Sequence, residues 1–166
     1  WIVSNEDFLK ESNIFKYLKI RGSYGIVGND NIGGPRFMYD QYYAGTSSYY
    51  FGTANTTFNG YAEGTIANPD VTWEKAKIMN IGFEANVLQQ FEVTFDFFQQ
   101  NRYDILAQPN RTVSQYLGMT LPYYNAGKVN NIGFEATIGY NSDQAKDLQF
   151  FADVSVGYAK NKIVYN

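Results

Sequence analysis

KAKIMNIGFEANVLQQFEVTFDFFQQNRYDIL, Lys75 to Leu106, is the stretch that decides the fold. In its first half Met79, Ile81, Phe83, Ala85 and Val87 share one parity, and Asn80, Gly82, Glu84 and Asn86 share the other. In its second half Phe91, Val93, Phe95 and Phe97 alternate with Glu92, Thr94, Asp96 and, further on, Gln100. Successive side chains of a strand point to opposite faces, so a period of two predicts a β-hairpin with one oily and one polar face. Val87 and Phe91 flank a three-residue turn. Counting back from them sets Phe83 against Phe95 and Ile81 against Phe97, and the oily faces align without slip.

The oily face needs an apolar neighbour. A soluble sandwich supplies a second sheet; a membrane barrel supplies lipid. Met79 to Val87 is nine residues. At about 3.3 Å per residue that is ~30 Å of strand, or ~21 Å of height at a tilt of about 45°. This is near the ~25 Å apolar band of an outer-membrane barrel. Soluble strands reach the same length, so length alone leaves both readings open.

Composition narrows the choice. Of 166 residues, 45% are hydrophobic and 18% aromatic, with 15 Tyr and 13 Phe. Transmembrane barrels concentrate aromatics in girdles at the two water interfaces. Mean hydropathy is negative, and no apolar run approaches the ~18 residues of a membrane helix. A β-barrel stays open, because its lumen face and loops are polar. The net charge of −3 includes no basic stripe, which argues against a nucleic-acid partner. Histidine and cysteine are both absent. That removes disulfides, thiol chemistry, a histidine general base and any histidine-containing metal site. The chain starts at Trp1 without Met and stops at Asn166 within an alternating stretch, which reads as an internal piece of a longer protein.

Alternation recurs along the chain. Trp1 to Tyr17 reads as a polar connection with a short helical turn. Leu18 to Gly28 reads as a strand, with Leu18, Ile20, Tyr24 and Ile26 on its oily side and Gly22 interrupting it. Residues 29–69 form a long connection rich in Tyr, Gly, Ser, Thr and Asn, with expected strands of its own around Arg36 to Tyr43 and Ser48 to Phe51. A strand over Val71 to Val87 precedes the turn, and Phe91 to Leu106 follows it. Residues 107–125 are a second long connection. Lys128 to Tyr140 and Leu148 to Tyr158 complete a set of about five strands. One register of this last pair would place Glu135 across from Asp153, an unfavourable like-charge pair, so a two-residue shift is expected.

Two features organise the whole. Connections alternate long, short, long, short: 29–69, 88–90, 107–125 and 141–147. Outer-membrane barrels have long external loops and short periplasmic turns; a soluble meander has no reason to sort loop length by end. The hexapeptide NIGFEA also occurs twice, at Asn80–Ala85 and Asn131–Ala136, on strands that run the same way. Two copies are too few for a solenoid and point to one packing problem met twice.

LKIRGSYGIVGNDNIG, ANPDVTWEKAKIMNIGFEA, NRYDIL, LPYYNAGKVNNIGFEATIGY and YAKNKI, in this order over roughly Leu18 to Ile163, resemble the C-terminal barrel half of SusC/RagA-type TonB-dependent transporters. The resemblance implies an all-β, antiparallel transmembrane barrel of the large, roughly 22-stranded plugged kind, in the outer membrane of a Bacteroidetes-type bacterium. It further implies a SusD-like surface lipoprotein, energy from the TonB complex, and glycan oligomers or peptides as cargo. Residues 1–166 would be part of one barrel domain, without plug, TonB-contacting segment or closing strand; about eight strands are the least that close a barrel. A secreted β-sandwich carbohydrate-binding module and a plugless general porin are the alternatives.

No constellation supports catalysis or a cofactor. Glu84 and Asp96 lie near each other across the hairpin, as solvated or plug-facing lumen carboxylates. Asn29 to Asn31 is too short for a calcium loop. Tyr39, Tyr42, Tyr43, Tyr49 and Tyr50 crowd the first long connection; each offers a flat apolar body and a hydroxyl, suited to packing the loop, to the lipoprotein or to cargo. Gly82 and Gly133 each precede a polar-face glutamate, Glu84 and Glu135. The four are expected to meet the plug, unless glycine only lets the strands coil. Lys75, Lys77, Lys128, Lys160 and Lys162 share the outward parity at the long-loop ends of their strands. They are expected to form a collar for lipopolysaccharide phosphates, or to be ordinary rim charges, since charge costs little near the interface and ~2–4 kcal/mol at mid-membrane.

Overall fold

The computed structural model describes residues 1–31, 33, 35–108, 118, 120–142 and 148–164. Among these residues a short 3-10 helix, Val3–Asn5, precedes seven strands: β1 Phe15–Asn29, β2 Tyr43–Phe51, β3 Thr56–Glu63, β4 Glu74–Val87, β5 Phe91–Ala107, β6 Tyr124–Asn141 and β7 Phe151–Val164. Five form one antiparallel sheet in the order β1-β4-β5-β6-β7, and β2 pairs with β3 alone. The large sheet is open, with β1 and β7 as its edges. Contacts divide the chain into two units. The first is Trp1–Val27, Ala76–Arg102 and Val129–Val164; the second is Gly28–Lys75 and Tyr103–Lys128.

In the first unit the expected pairing is realised. The rings of Phe83 and Phe95 stack at 5.8 Å, Phe95 and Phe134 at 6.2 Å, and Phe134 meets Tyr158 at 6.1 Å. One aromatic row thus crosses β4, β5, β6 and β7. A second row follows near the short turns, Phe91 to Tyr140 at 5.0 Å and Tyr140 to Phe150 at 5.7 Å. Leu18 and Ile20 of β1 line the same apolar surface as Ile81, Phe83 and Phe95. Among the described residues nothing covers it: Ile81 is 52% exposed, Ile138 51% and Val154 70%, and the buried hydrophobics are Val3, Met38, Ala76 and Ala85. In water each large side chain left out this way forgoes about 1.5–3 kcal/mol of burial, so this face calls for an apolar surrounding.

The polar faces also meet, with the β6–β7 register shifted by four residues from a Glu135–Asp153 pairing and not by the two expected. Thr137 and Ser155 hydroxyls meet at 3.0 Å, and Ser142 N–H donates to the Phe150 carbonyl at 2.9 Å. Glu135 therefore lies against Gly157 and Asp153 against Gly139, which keeps the two carboxylates apart. The β4–β5 turn closes with Gln90 N–H donating to Val87 O at 3.3 Å, and its central residues Leu88 and Gln89 have φ of 53° and 63°. Positive φ at both central positions belongs to type I′ turns, whose twist suits a hairpin; neither side chain favours it.

Three expectations are corrected. Arg36 to Tyr43 is not a strand: residues 36–39 are a turn, and Asp40 N–H donates to the Phe37 carbonyl at 3.1 Å. The loop hairpin is instead Tyr43–Phe51 with Thr56–Glu63, paired Tyr43 to Glu63 and Phe51 to Thr56. Gly52 and Asn55, with φ of 73° and 50°, make its turn, as residues that tolerate the left-handed region do. The last strand is displaced from Leu148–Tyr158 to Phe151–Val164, because Ser142 holds Phe150 from both sides as the closing pair of the connection.

Candidate functional site

On the polar face of the first unit one side chain ties three strands together. Arg21 of β1 donates from Nη1 to Glu84 Oε1 of β4 at 2.7 Å and from Nη2 to Asp96 Oδ2 of β5. Lys19 Nζ stands 3.6 Å from Glu84 Oε2. The Glu84–Asp96 proximity expected from the hairpin is thus present, as two carboxylates held by one guanidinium. Side-chain exposures of 38%, 31% and 22% for Arg21, Glu84 and Asp96 put each contact near the ~0.2–1 kcal/mol of solvated pairs, with added geometric value from the shared guanidinium.

Gly82 makes the clamp possible. A Cβ there would lie 2.6 Å from the Phe95 carbonyl, 3.1 Å from Arg21 Nε and closer still to Asp96 Oδ1. Gly133, in the second NIGFEA copy, is in the same situation: a Cβ would meet the Tyr158 carbonyl, Phe98 Cζ at 2.5 Å and Ala159 Cα at 3.1 Å. The repeat is therefore explained. In each copy the glycine admits the backbone of the next strand and a side chain laid over it. A plug segment would meet Arg21, Asp96 and Phe98 at these positions. Glu84 is occupied by Arg21 and Lys19, while Glu135 is exposed. Arg21 was not singled out from the sequence, because the β1–β4 pairing closes over the long 29–69 connection; its polar parity was the signal available.

Lys75 Nζ donates to Asp104 Oδ2 at 3.0 Å and lies 5.9 Å from the Tyr103 ring centroid. Lys77, Lys128, Lys160 and Lys162 are exposed. Lys75 and Lys128 belong to the second unit, the other three to the first.

The second unit gathers parts of both long connections. Asn68, 8% exposed, donates from Nδ2 to the Tyr123 carbonyl at 2.7 Å and from its N–H to Met38 O at 2.8 Å, while Oδ1 accepts from Asp70 N–H at 3.1 Å. Asn125 exchanges bonds with Thr72 at 2.9 and 2.7 Å and reaches the Asp104 carbonyl at 2.6 Å. Asp104, with φ of 58°, is a residue that tolerates this conformation. Beside Asn68 lies a cleft of about 280 Å³ between Phe37, Met38, Ile66 and Tyr123, with Arg36, Asp40 and Tyr42 also on its lining. The Tyr42 ring lies flat on Gly64, where no Cβ would fit. Hydrogen bonds from Thr65, first its side chain and then its backbone, hold the Tyr42 phenol below its ordinary range against a smaller opposing effect of burial.

The predicted tyrosines fall in this unit and all are exposed. Tyr39 meets Phe37 edge-on at 6.1 Å. Tyr43, Tyr49 and Tyr50 lie on β2, with Tyr49 paired to Phe58 and Tyr50 to Thr57. The cleft itself escaped the sequence reading, which saw only an abundance of tyrosine. Among the described residues no group of three acidic, histidine or cysteine side chains is placed to hold a metal ion, and no helix is long and apolar enough to cross a membrane.

A family model described as "TonB dependent receptor-like, beta-barrel" matches residues 15–166. Curated relatives include TonB-dependent receptor P3 of Formosa agariphila, 28% identical over 99% of this chain, and TonB-dependent receptor SusC of Bacteroides thetaiotaomicron, 25% identical over 98% of it. The chain spans 16% of the length of each. Among solved structures it superposes on a RagAB peptide importer in an open-open state with a TM-score of 0.77, at 23% identity, over 100% of this chain and 17% of that one. A second RagAB peptide transporter structure gives 0.74 at 24% identity, again over 17% of that chain.

Proposed function

We propose a function from one premise: the chain belongs to the TonB-dependent receptor-like β-barrel family. It forms part of the wall of an importer of the SusC/RagA type, in the outer membrane of a Gram-negative, Bacteroidetes-type bacterium. The oily face meets hydrocarbon, the polar face lines the wet interior, and the long connections lie outside the cell. One observation carries this reading: the aromatic row Phe83, Phe95, Phe134 and Tyr158 runs across four strands with no layer of the described residues over it. A sandwich needs a second sheet over that row. A large barrel needs lipid, and its curvature is completed by other strands.

The whole protein imports glycan oligomers or peptides with a SusD-like lipoprotein and the TonB complex, and this part does no chemistry. SusC and the RagAB importers among its likenesses support that reading. The exposed loop tyrosines serve the lipoprotein or cargo side. Glu135, with Glu84 of the clamp, faces the plug, and the exposed lysines face lipid phosphate. The test is the intact protein in its own cell: it fractionates with the outer membrane, and its uptake stops when TonB is deleted. A protein soluble without detergent, or uptake indifferent to TonB, refutes the proposal. Replacing Glu84 and Glu135 together by Ala tests the plug contact, which predicts a plug more easily displaced by urea.

A further inference from the structure

We infer that the oily face of the first unit holds a site for one anionic glycerophospholipid of the periplasmic leaflet, with an acyl chain laid in a groove over Ala85 and the headgroup phosphate at Lys16. The inference rests on the importer reading above, which sets this face against hydrocarbon, and deepens it by naming one lipid and one place.

The groove follows from register. Arg21 of β1 lies over Gly82 of β4, and Lys19 meets Glu84. Directly opposite residues of an antiparallel pair share a face, so Leu18 stands against Ala85 and Lys16 against Val87. On the other side Phe83 stacks on Phe95, which sets Val93 against Ala85. A lone methyl group thus occupies the middle of a face built from Leu18, Ile20, Phe83, Val93 and Phe95. Ala85 is sunk to 7% exposure, while Phe83 keeps 36% and Ile20 43%. The result is an open groove of about 680 Å³ that runs from Ile81 to Val87 between apolar side chains.

Size and length select the occupant. The volume falls within the ~300–1,000 Å³ of sites that hold a whole small molecule. Ile81 to Val87 is six steps along β4. At about 3.3 Å per residue that is ~20 Å of strand, or ~14 Å of height at a tilt of about 45°. One leaflet of a ~30 Å hydrocarbon core is ~15 Å deep. The groove therefore spans one leaflet and matches one acyl chain. The wall of a second barrel is convex and cannot enter a groove; a flexible chain can.

Charge selects the headgroup and the leaflet. Lys16 has the parity of Leu18 and Ile20 and stands at the foot of the groove, next to the β4–β5 turn, where Leu88 N–H donates to the Ile14 carbonyl at 2.8 Å. It is exposed, and among the described residues its ammonium has no ion-pair partner. Lys19, by contrast, is held on the polar face by Glu84. A compact ammonium at the end of an apolar groove suits a phosphate, and a charge at that depth costs the barrel little. The short-turn end is the periplasmic end, so the lipid is a glycerophospholipid. Lipopolysaccharide has its phosphates at the opposite ends of the strands.

The experiment uses the full-length protein purified in mild detergent and native mass spectrometry. The added lipids are phosphatidylglycerol, phosphatidylcholine and lipid A. Wild type should hold phosphatidylglycerol about fivefold more tightly than phosphatidylcholine, the preference that one lysine near an anionic headgroup supplies. Lys16→Gln, on an exposed side chain, should make the two lipids equal, and Lys16→Arg should restore the difference. Ala85→Leu fills the groove and should hold one phospholipid fewer than wild type, whereas Ala152→Leu, on the exposed face of β7, should hold the same number. Lipid A held in place of phosphatidylglycerol, a headgroup preference untouched by Lys16→Gln, or equal lipid counts for wild type and Ala85→Leu would overturn the proposal. So would a lipid-free dimer that Ala85→Leu splits. A protein found outside the outer membrane sinks the importer reading itself; one found there with lipid binding blind to Lys16 and Ala85 sinks only the groove.

Discussion

Gly82→Ala, made in the full-length protein, measures how tightly the wall packs beneath the Arg21 clamp. The new methyl would lie 2.6 Å from the carbonyl of Phe95 and nearer still to Asp96 Oδ1. The carbonyl belongs to the next strand and cannot yield without disturbing the ladder. Overpacking of this kind costs about 1–3 kcal/mol. Asp96 must also swing off Arg21, which forfeits a half-exposed pair of about 0.5–1 kcal/mol. Against this, alanine recovers roughly 0.5–1 kcal/mol of the entropy that glycine loses in a strand. The net is a loss of about 1–3 kcal/mol. Gly157→Ala is the matched control on the same face. Its methyl would meet only Glu135 Cγ at 3.7 Å and the Phe134 carbonyl at 3.9 Å, so it should be neutral or slightly stabilising. Urea unfolding of the barrel in lipid vesicles, followed by tryptophan fluorescence, compares the two midpoints. Equal midpoints for Gly82→Ala and Gly157→Ala would refute the packing argument.

The remaining predictions use other parts of the wall. Phe83→Arg, in the middle of the aromatic row, should lower barrel stability by ~2–4 kcal/mol in vesicles, whereas Asn86→Ala on the polar face should leave the urea midpoint nearly unchanged. Leu88→Asn combined with Gln89→Gly gives the β4–β5 turn residues that accept its positive φ, and should raise stability by about 1 kcal/mol; a lower midpoint would contradict the turn assignment. Asn68→Ala leaves the Tyr123 carbonyl without its buried donor, at a cost of about 1–3 kcal/mol. It should open the long connections to protease on intact cells at rates well above wild type, while the barrel stays folded.

Particular residues show how far local pattern reaches. The facing of Phe83 and Phe95 was legible because a three-residue turn leaves their register no freedom, and the stacking at 5.8 Å agrees. The separation of Glu135 from Asp153 was legible from charge repulsion, but the four-residue size of the shift was not. Phe98 was not assigned to a face, and only the packed strands show it laid over Gly133 from the polar side. Arg36 to Tyr43 was misread as a strand because its short alternation of aromatic and polar residues has the right period, whereas the turn at 36–39 is set by contacts with Asn68 and by its own backbone bond. The clamp by Arg21 needed the partner strand of β1, and no local rule names a partner across a connection that long.

By itself, then, the order of residues determined the all-β class, the two faces of each strand, the short turns and the sorting of loops by length. All of these depend on neighbours a few positions apart, where period and turn geometry act directly. Tertiary structure alone decided that the NIGFEA glycines are buried under wall side chains, that Arg21 holds Glu84 and Asp96 together, and that two long connections fold into a cleft around Asn68. Those features join segments far apart in the chain, and which distant segments meet is set by the packing of the whole sheet and its loops.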